Sequence, residues 1–99
     1  MGNNKKKIRD LINAGEKSNE RLVELPIYEE NMEQTKSEIA DVRNFSYDDK
    51  NMTIFAGAFL NNFVKENQDW IHIDIAGPEY RKKGSTGFGV RMLVDYLSN

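Results

Sequence analysis

Cysteine is absent from these 99 residues, which excludes disulfide staples, thiolate metal sites and cysteine nucleophiles together. Histidine and tryptophan occur once each, so a site needing several imidazole ligands is excluded too. No window approaches the roughly 20 apolar residues that span a bilayer. The basic start "MGNNKKK" is not followed by the apolar core of a secretory leader. Nor is there an excess of positive charge. Fourteen Lys and Arg face sixteen Asp and Glu, for a formal charge of -2, and a nucleic-acid or anionic-membrane surface needs a concentrated basic footprint. The clusters "KKK" at 5–7 and "RKK" at 81–83 are short and isolated, and read as solvated ends. These absences predict a soluble, cytoplasmic protein with neither nucleic acid nor a membrane as its main partner.

What is present suffices for one small domain, because 38% of the residues are hydrophobic, near the lower limit for a core without staples. Fraying is expected at "MGNNKKK". From residue 4 to about 24, Ile8, Leu11, Ile12, Gly15, Leu22 and Val23 recur at helical spacing, and Pro26 is expected to end that helix. Tyr28 to Gln34 is polar and acidic and suits a short helical turn. "SEIADVRNF" fits neither period cleanly and reads as a weak strand near 38–43. The Ser, Asp and Asn residues of "SYDDKN" mark a loop, in which Asp49 or Asn51 can cap a helix over 51–66. That helix is apolar around most of its circumference, and its small Ala56 and Gly57 allow close approach of a neighbour. "WIHIDI" at 70–75 alternates strictly, which predicts a strand with Ile71, Ile73 and Ile75 on one face and Trp70, His72 and Asp74 on the other. Val90, Leu93, Val94 and Leu97 predict a closing amphipathic helix over 88–98. The order reads as α/β.

Three kinds of chemistry are suggested by fragments of motif. Gly84, Gly87 and Gly89 precede a helix, whose N-terminal amides favour anions. Their spacing is G-x-x-G-x-G, not the G-x-G-x-x-G of dinucleotide binders, and no Gly-Lys-Ser/Thr opens the helix. Tight turns and close packing account for them more simply. His72 and Asp74 share a strand face and are acceptable zinc ligands. The remaining ligands would all have to be carboxylates, from Asp41, Asp48, Asp49 and Glu79, which show no telling spacing. A hydrogen-bonded structural histidine is the favoured reading. Ser37, Ser46, Ser85 and Ser98 have only His72 as an imidazole base, and none sits in a G-x-S-x-G elbow. The residues alone assemble no complete catalytic or metal-binding constellation.

Several separated blocks nevertheless point to one family. "WIHIDIAGPEY" followed by "KKGSTGFGVRMLVDYL", preceded in order by "LINAGEKSNERLVELPIYEE", "KSEIADVRN" and "AGAFLNNFV", resembles the carboxy-terminal end of the leucyl (cytosol) aminopeptidases. The likeness runs from about Gly2 to Leu97. It implies a partial three-layer α/β sandwich forming, over 1–99, a single segment of the catalytic domain. The family releases N-terminal amino acids from peptides with two divalent metals, zinc or manganese. By the same resemblance, its ligands (a lysine, aspartates and a glutamate), a catalytic arginine and a second lysine lie upstream, several in or near an Asn-Thr-Asp-Ala-Glu-Gly-Arg-Leu octapeptide. This sequence has none of that stretch. Only Ala76 and Glu79 match positions lining the pocket for the substrate's first side chain. Glu79 departs from the usual apolar residue there, which puts a leucine-type preference in question, and "GPEYRKKG" is shorter than the family's usual loop.

The expectation is therefore a carboxy-terminal aminopeptidase fragment, a truncated gene product or an excised piece. By itself it has no catalytic residue, no metal and no activity, and it binds peptide only as part of the full-length enzyme. Self-association is expected from the family's hexameric state and from unpaired sheet edges. The alternative is a non-catalytic binding or interaction module derived from the same fold. A nucleotide binder using residues 84–89 comes third.

Overall fold

A computed structural model of the chain describes residues 1–46 and 51–99. In chain order its elements are helices α1 (Lys5–Lys17), α2 (Glu29–Glu33) and α3 (Met52–Asn61), strands β1 (Tyr80–Arg81) and β2 (Gly84–Ser85), and helix α4 (Val90–Ser98). This mixture of helix with little strand is a partial α/β arrangement. It forms two compact units, Met1–Asn3 with Leu25–His72, and Asn4–Glu24 with Ile73–Asn99.

In the second unit, α1 opens where the Asn4 side chain accepts from the Lys7 N–H at 3.0 Å, which satisfies one of the amides a helix start leaves unpaired. Ile8, Leu11, Ala14 and Gly15 make its buried face. The helix stops at Lys17, well short of residue 24. Asn19 takes a left-handed φ of 58°, its N–H donates to the Glu16 carbonyl, and the Glu20 N–H donates to the Gly15 carbonyl at 2.8 Å. This pair of bonds is a Schellman closure, with Asn in the left-handed position it tolerates better than most residues. Pro26 is thus not what ends α1. Leu22 and Val23 fall outside the helix, and Val23 is exposed.

Helix α4 packs against α1 in this unit. Its fully buried residue is Met92, whereas Val90, Val94 and Leu97 are exposed at 61%, 61% and 77%. The amphipathic pattern does form a helix, but within this chain α4 buries its Met92 side and leaves its main apolar stripe uncovered. Gly15 lies where the helices approach: a Cβ there would collide with the Glu20 carbonyl oxygen and stand 3.3 Å from Met92 Sδ.

The first unit is built on α3. Asn51 caps it by accepting from the Ile54 N–H at 3.4 Å, while the other proposed cap, Asp49, lies outside the described residues. Ile54, Phe55, Gly57 and Ala58 are buried, and full burial of a side chain such as Phe55 contributes roughly 1.5–3 kcal/mol. Against Gly57 packs the flexible Met1 side chain, with Ile27 next to it. The helix ends at Asn61, not near 66. Backbone bonds tighten to the i→i−3 pattern over Asn62–Val64, and the Asn62 amide donates to the carbonyls of Ala58 and Phe59, both at 3.2 Å. Asparagine side chains compete in this way with the backbone amides that would continue a helix. The acidic turn at 28–34 appears as α2, where Asn31 Oδ1 accepts from the Tyr28 N–H at 2.8 Å.

Two strand expectations change. No strand forms at 38–43: the Ser37 hydroxyl accepts from the amides of Ile39 and Ala40 at 3.2 and 3.1 Å, folding a side-chain turn out of groups a ladder would have used. Ile39 is consequently 98% exposed. Residues 70–75 form no continuous strand either, only an isolated antiparallel bridge between Ile71 and Gly2. His72 N–H donates to the Met1 carbonyl at 2.8 Å and Asn3 N–H to the Trp70 carbonyl at 3.1 Å, so the expected amino-terminal fraying gives way to ordered pairing. Alternation marks an extended segment, but a strand also needs a paired neighbour. Among the described residues, that pairing stops at His72, where the first unit ends.

Candidate functional site

Of the residues singled out by sequence, Ala76, Glu79, Ser85 and the glycines Gly84, Gly87 and Gly89 lie in the second unit, on the path from Ala76 to the start of α4. Gly77 has a φ of +114°, and its N–H donates to the Glu79 carboxylate, which closes the turn after Ala76 with a side-chain bond. Both Ala76 and Glu79 are exposed. A two-residue connection, Lys82–Lys83, then joins β1 to β2 in an antiparallel hairpin with Tyr80 opposite Ser85 and Arg81 opposite Gly84. In sequence, "GPEYRKKG" reads only as a short loop, with no strand expected in it. The legible signal was a tight turn ending at Gly84, whose φ of +121° favours glycine.

Thr86 ties the hairpin's exit back to the turn. Its N–H donates to the Glu79 carbonyl at 3.0 Å, its hydroxyl donates to the Pro78 carbonyl at 2.6 Å, and the same oxygen accepts from the Phe88 N–H at 3.2 Å. Gly89 follows as the residue before α4, with a φ of +100°. A Cβ at Gly89 would meet Ile75 Cδ1 at only ordinary contact distance, 3.5 Å. Glycine is needed here for backbone conformation, and lack of space is not the cause.

The amides that a phosphate would use are already engaged. Glu20, exposed by 1%, presents Oε2 to the N–H groups of Gly89 at 2.8 Å and Met92 at 3.2 Å. Arg91 Nε stands 3.1 Å from the other carboxylate oxygen, an ion-pair distance without hydrogen-bond alignment. A negative charge at a helix N-terminus is electrostatically favoured, and here the protein's own carboxylate supplies it. No local motif marks Glu20, because its partners lie about seventy positions away in sequence; only the Ser18–Asn19 helix stop just before it was readable.

The other candidates are placed differently. His72 pairs through its backbone with Met1, and its ring stacks on Trp70 at 6.3 Å and 15°, as residues on one side of an extended segment should. Asp74 is exposed, and the Ser37 hydroxyl is committed to its turn. Ser85 lies in β2. Asp48 and Asp49 lie outside the described residues. Among the described residues no group of three or more His, Asp or Glu side chains is arranged to hold a metal ion. The donor set of the described residues therefore does not fit a dinuclear centre. No helix among the described residues is long and apolar enough to cross a membrane.

The sequence model of the cytosol aminopeptidase family, catalytic domain, matches residues 1–94. The chain belongs to the cytosol aminopeptidase family. A probable cytosol aminopeptidase of Geotalea uraniireducens is 45% identical over 104 aligned residues, covering 98% of this chain and 21% of that protein. One from Acidithiobacillus ferrooxidans is also 45% identical, covering 98% of this chain and 20% of its own length. Among solved structures, a mutant of tomato leucine aminopeptidase superimposes with a TM-score of 0.89 at 35% identity, over 99% of this chain and 20% of that one. The chain thus spans about a fifth of the length of these cytosol aminopeptidases, as a fragment of the family's fold.

Proposed function

We propose that this chain is one segment of the catalytic domain of a dimetal leucyl aminopeptidase, and that it does not hydrolyse peptides by itself. The observation carrying this reading is the match of almost the whole chain to a fifth of each relative, combined with the lack of a metal-holding group among the described residues. In metallopeptidases the metal activates the attacking water and polarises the scissile carbonyl, so a segment whose described residues hold no metal-binding group lacks the main source of rate acceleration. The full enzyme is a cytoplasmic, hexameric peptidase using zinc or manganese, in which Ala76 and Glu79 border the pocket for the substrate's first side chain. Glu79 brings a carboxylate to that border, which disfavours acidic first residues and weakens a leucine-type preference. The uncovered stripe of Val90, Val94 and Leu97 is consistent with a segment that packs inside a larger domain.

The same stripe also supports a second reading, an interaction module that retains the fold without catalysis. Assaying the purified chain on leucine 4-nitroanilide with added manganese or zinc tests the main proposal. No turnover above a buffer blank is expected, and metal-dependent release of nitroaniline would overturn it. Calorimetric titration should likewise detect no stoichiometric binding of two ions at micromolar affinity.

A further inference from the structure

We infer that Glu20 is a positioning residue for the substrate-side loop: it holds the start of α4 and, through Thr86, the turn that carries Ala76 and Glu79. The substrate part of this statement rests on the aminopeptidase reading above; the coupling itself is a property of this chain. Glu20 is buried directly after the Schellman closure of α1, so its backbone is anchored by the bond to the Gly15 carbonyl. Its carboxylate oxygen accepts from Gly89, the residue preceding α4, and from Met92, three residues on. A capping box normally satisfies such amides with side chains of the same helix. Gly89 has no side chain, and the remote acid takes over.

From Gly89 the restraint continues along covalent and hydrogen bonds. Phe88 donates to the Thr86 hydroxyl, and Thr86 binds the carbonyls of Pro78 and Glu79. Glu79 in turn accepts from Gly77. Each of these hydrogen bonds has a backbone group on at least one side, which leaves little slack for the turn to shift without disturbing Gly89. Arg91, 70% exposed in its side chain, is a screened partner that adds little. The organising contact is the pair of amides on Oε2.

The test is amide hydrogen exchange and amide chemical shifts, measured by NMR on the 99-residue chain with Glu20→Gln and Glu20→Ala. Exchange at Gly89 and Met92 is expected to quicken about tenfold or more, the scale of one lost bond to a charged acceptor. Thr86 and Gly77 should quicken as well and shift, while amides in α3 stay unchanged, with Gln milder than Ala. Loss of protection at Gly89 and Met92 with Thr86 and Gly77 unmoved would overturn the inference, leaving Glu20 as a helix cap alone. Should both variants lose their dispersed spectrum, Thr86→Val at an exposed position replaces them. It is expected to quicken exchange at Gly89, and an unaltered Gly89 would equally overturn the coupling. Peptidase turnover by the isolated chain would defeat the functional reading without altering any of these amide results.

Discussion

The unit around Phe55 and the unit around Glu20 are organised by different physics. In the first, α3 buries Ile54, Phe55 and Ala58, and its polar contacts trim the edges: Thr35, itself buried, accepts from the Asn62 amide at 3.0 Å, and Met1–Asn3 pairs with Trp70–His72. In the second, Ile8, Leu11, Ala14 and Met92 are buried apolar residues, while the start of α4 is bonded to a buried carboxylate and preceded by a glycine. Apolar burial is non-directional and scales with area. The hold of a carboxylate on two amides is directional, because hydrogen bonds weaken steeply with misalignment. The second unit is also the one carrying Ala76 and Glu79, the residues proposed to border the substrate pocket.

The largest effect that would break this comparison is expected from Phe55→Ala. Truncating a fully buried aromatic costs about 3–5 kcal/mol, enough to erase most of a small domain's stability. A denaturant melt should show a large fall in midpoint, and exchange should quicken first in α3 and α2. If protection were lost equally early around Gly89, the two-unit description would fail.

A smaller effect, in the other unit, is expected from Gly15→Ala. The added methyl meets the Glu20 carbonyl and Met92, and overpacking of this kind costs about 1–3 kcal/mol. An unperturbed surface glycine in a helix would instead gain stability from alanine. The sign of the midpoint change therefore decides whether Gly15 is a close-contact residue. The Gly89 amide should shift with it, as Glu20 is displaced.

The smallest effect concerns an exposed pair. Glu33 holds the Lys36 ammonium at 2.8 Å and, chiefly by that hydrogen bond and then by its charge, raises the Lys36 pKa above its ordinary value of 10.5. A raised pKa contributes stability that is fully present below the unfolded value and is lost as pH climbs through the folded value, so the contribution disappears only in strong alkali. Glu33→Gln should bring the Lys36 titration back toward 10.5, followed by NMR. The melting midpoint at neutral pH should barely move, as expected for a solvent-exposed pair.

How much of this was legible beforehand depends on the range of the interaction. The helices α1 and α4 were readable from periodicity, α3 from its apolar run, and residue type narrowed the α3 cap to Asp49 or Asn51. Both helix ends were misjudged for a local reason: Ser18–Asn19 and Asn61–Asn62 stop their helices through side-chain and left-handed chemistry that apolar spacing does not register. The segment 38–43 was misjudged because one serine hydroxyl captured its amides. Ala76 and Glu79 came from family resemblance and not from any chemistry visible in the residues, while Glu20 went unnoticed.

By itself the sequence determined the family, the absence of thiol chemistry, and the positions that require glycine for backbone conformation, because these are set by residue identity and short-range sterics. Tertiary structure alone decided which face of α4 is buried, that among the described residues "WIHIDI" pairs only as far as His72, and that the anion at the α4 N-terminus is Glu20. Those outcomes depend on which distant groups meet, and nothing in the local spacing of "KSNERLVEL" and "GSTGFGVRM" specifies that they do.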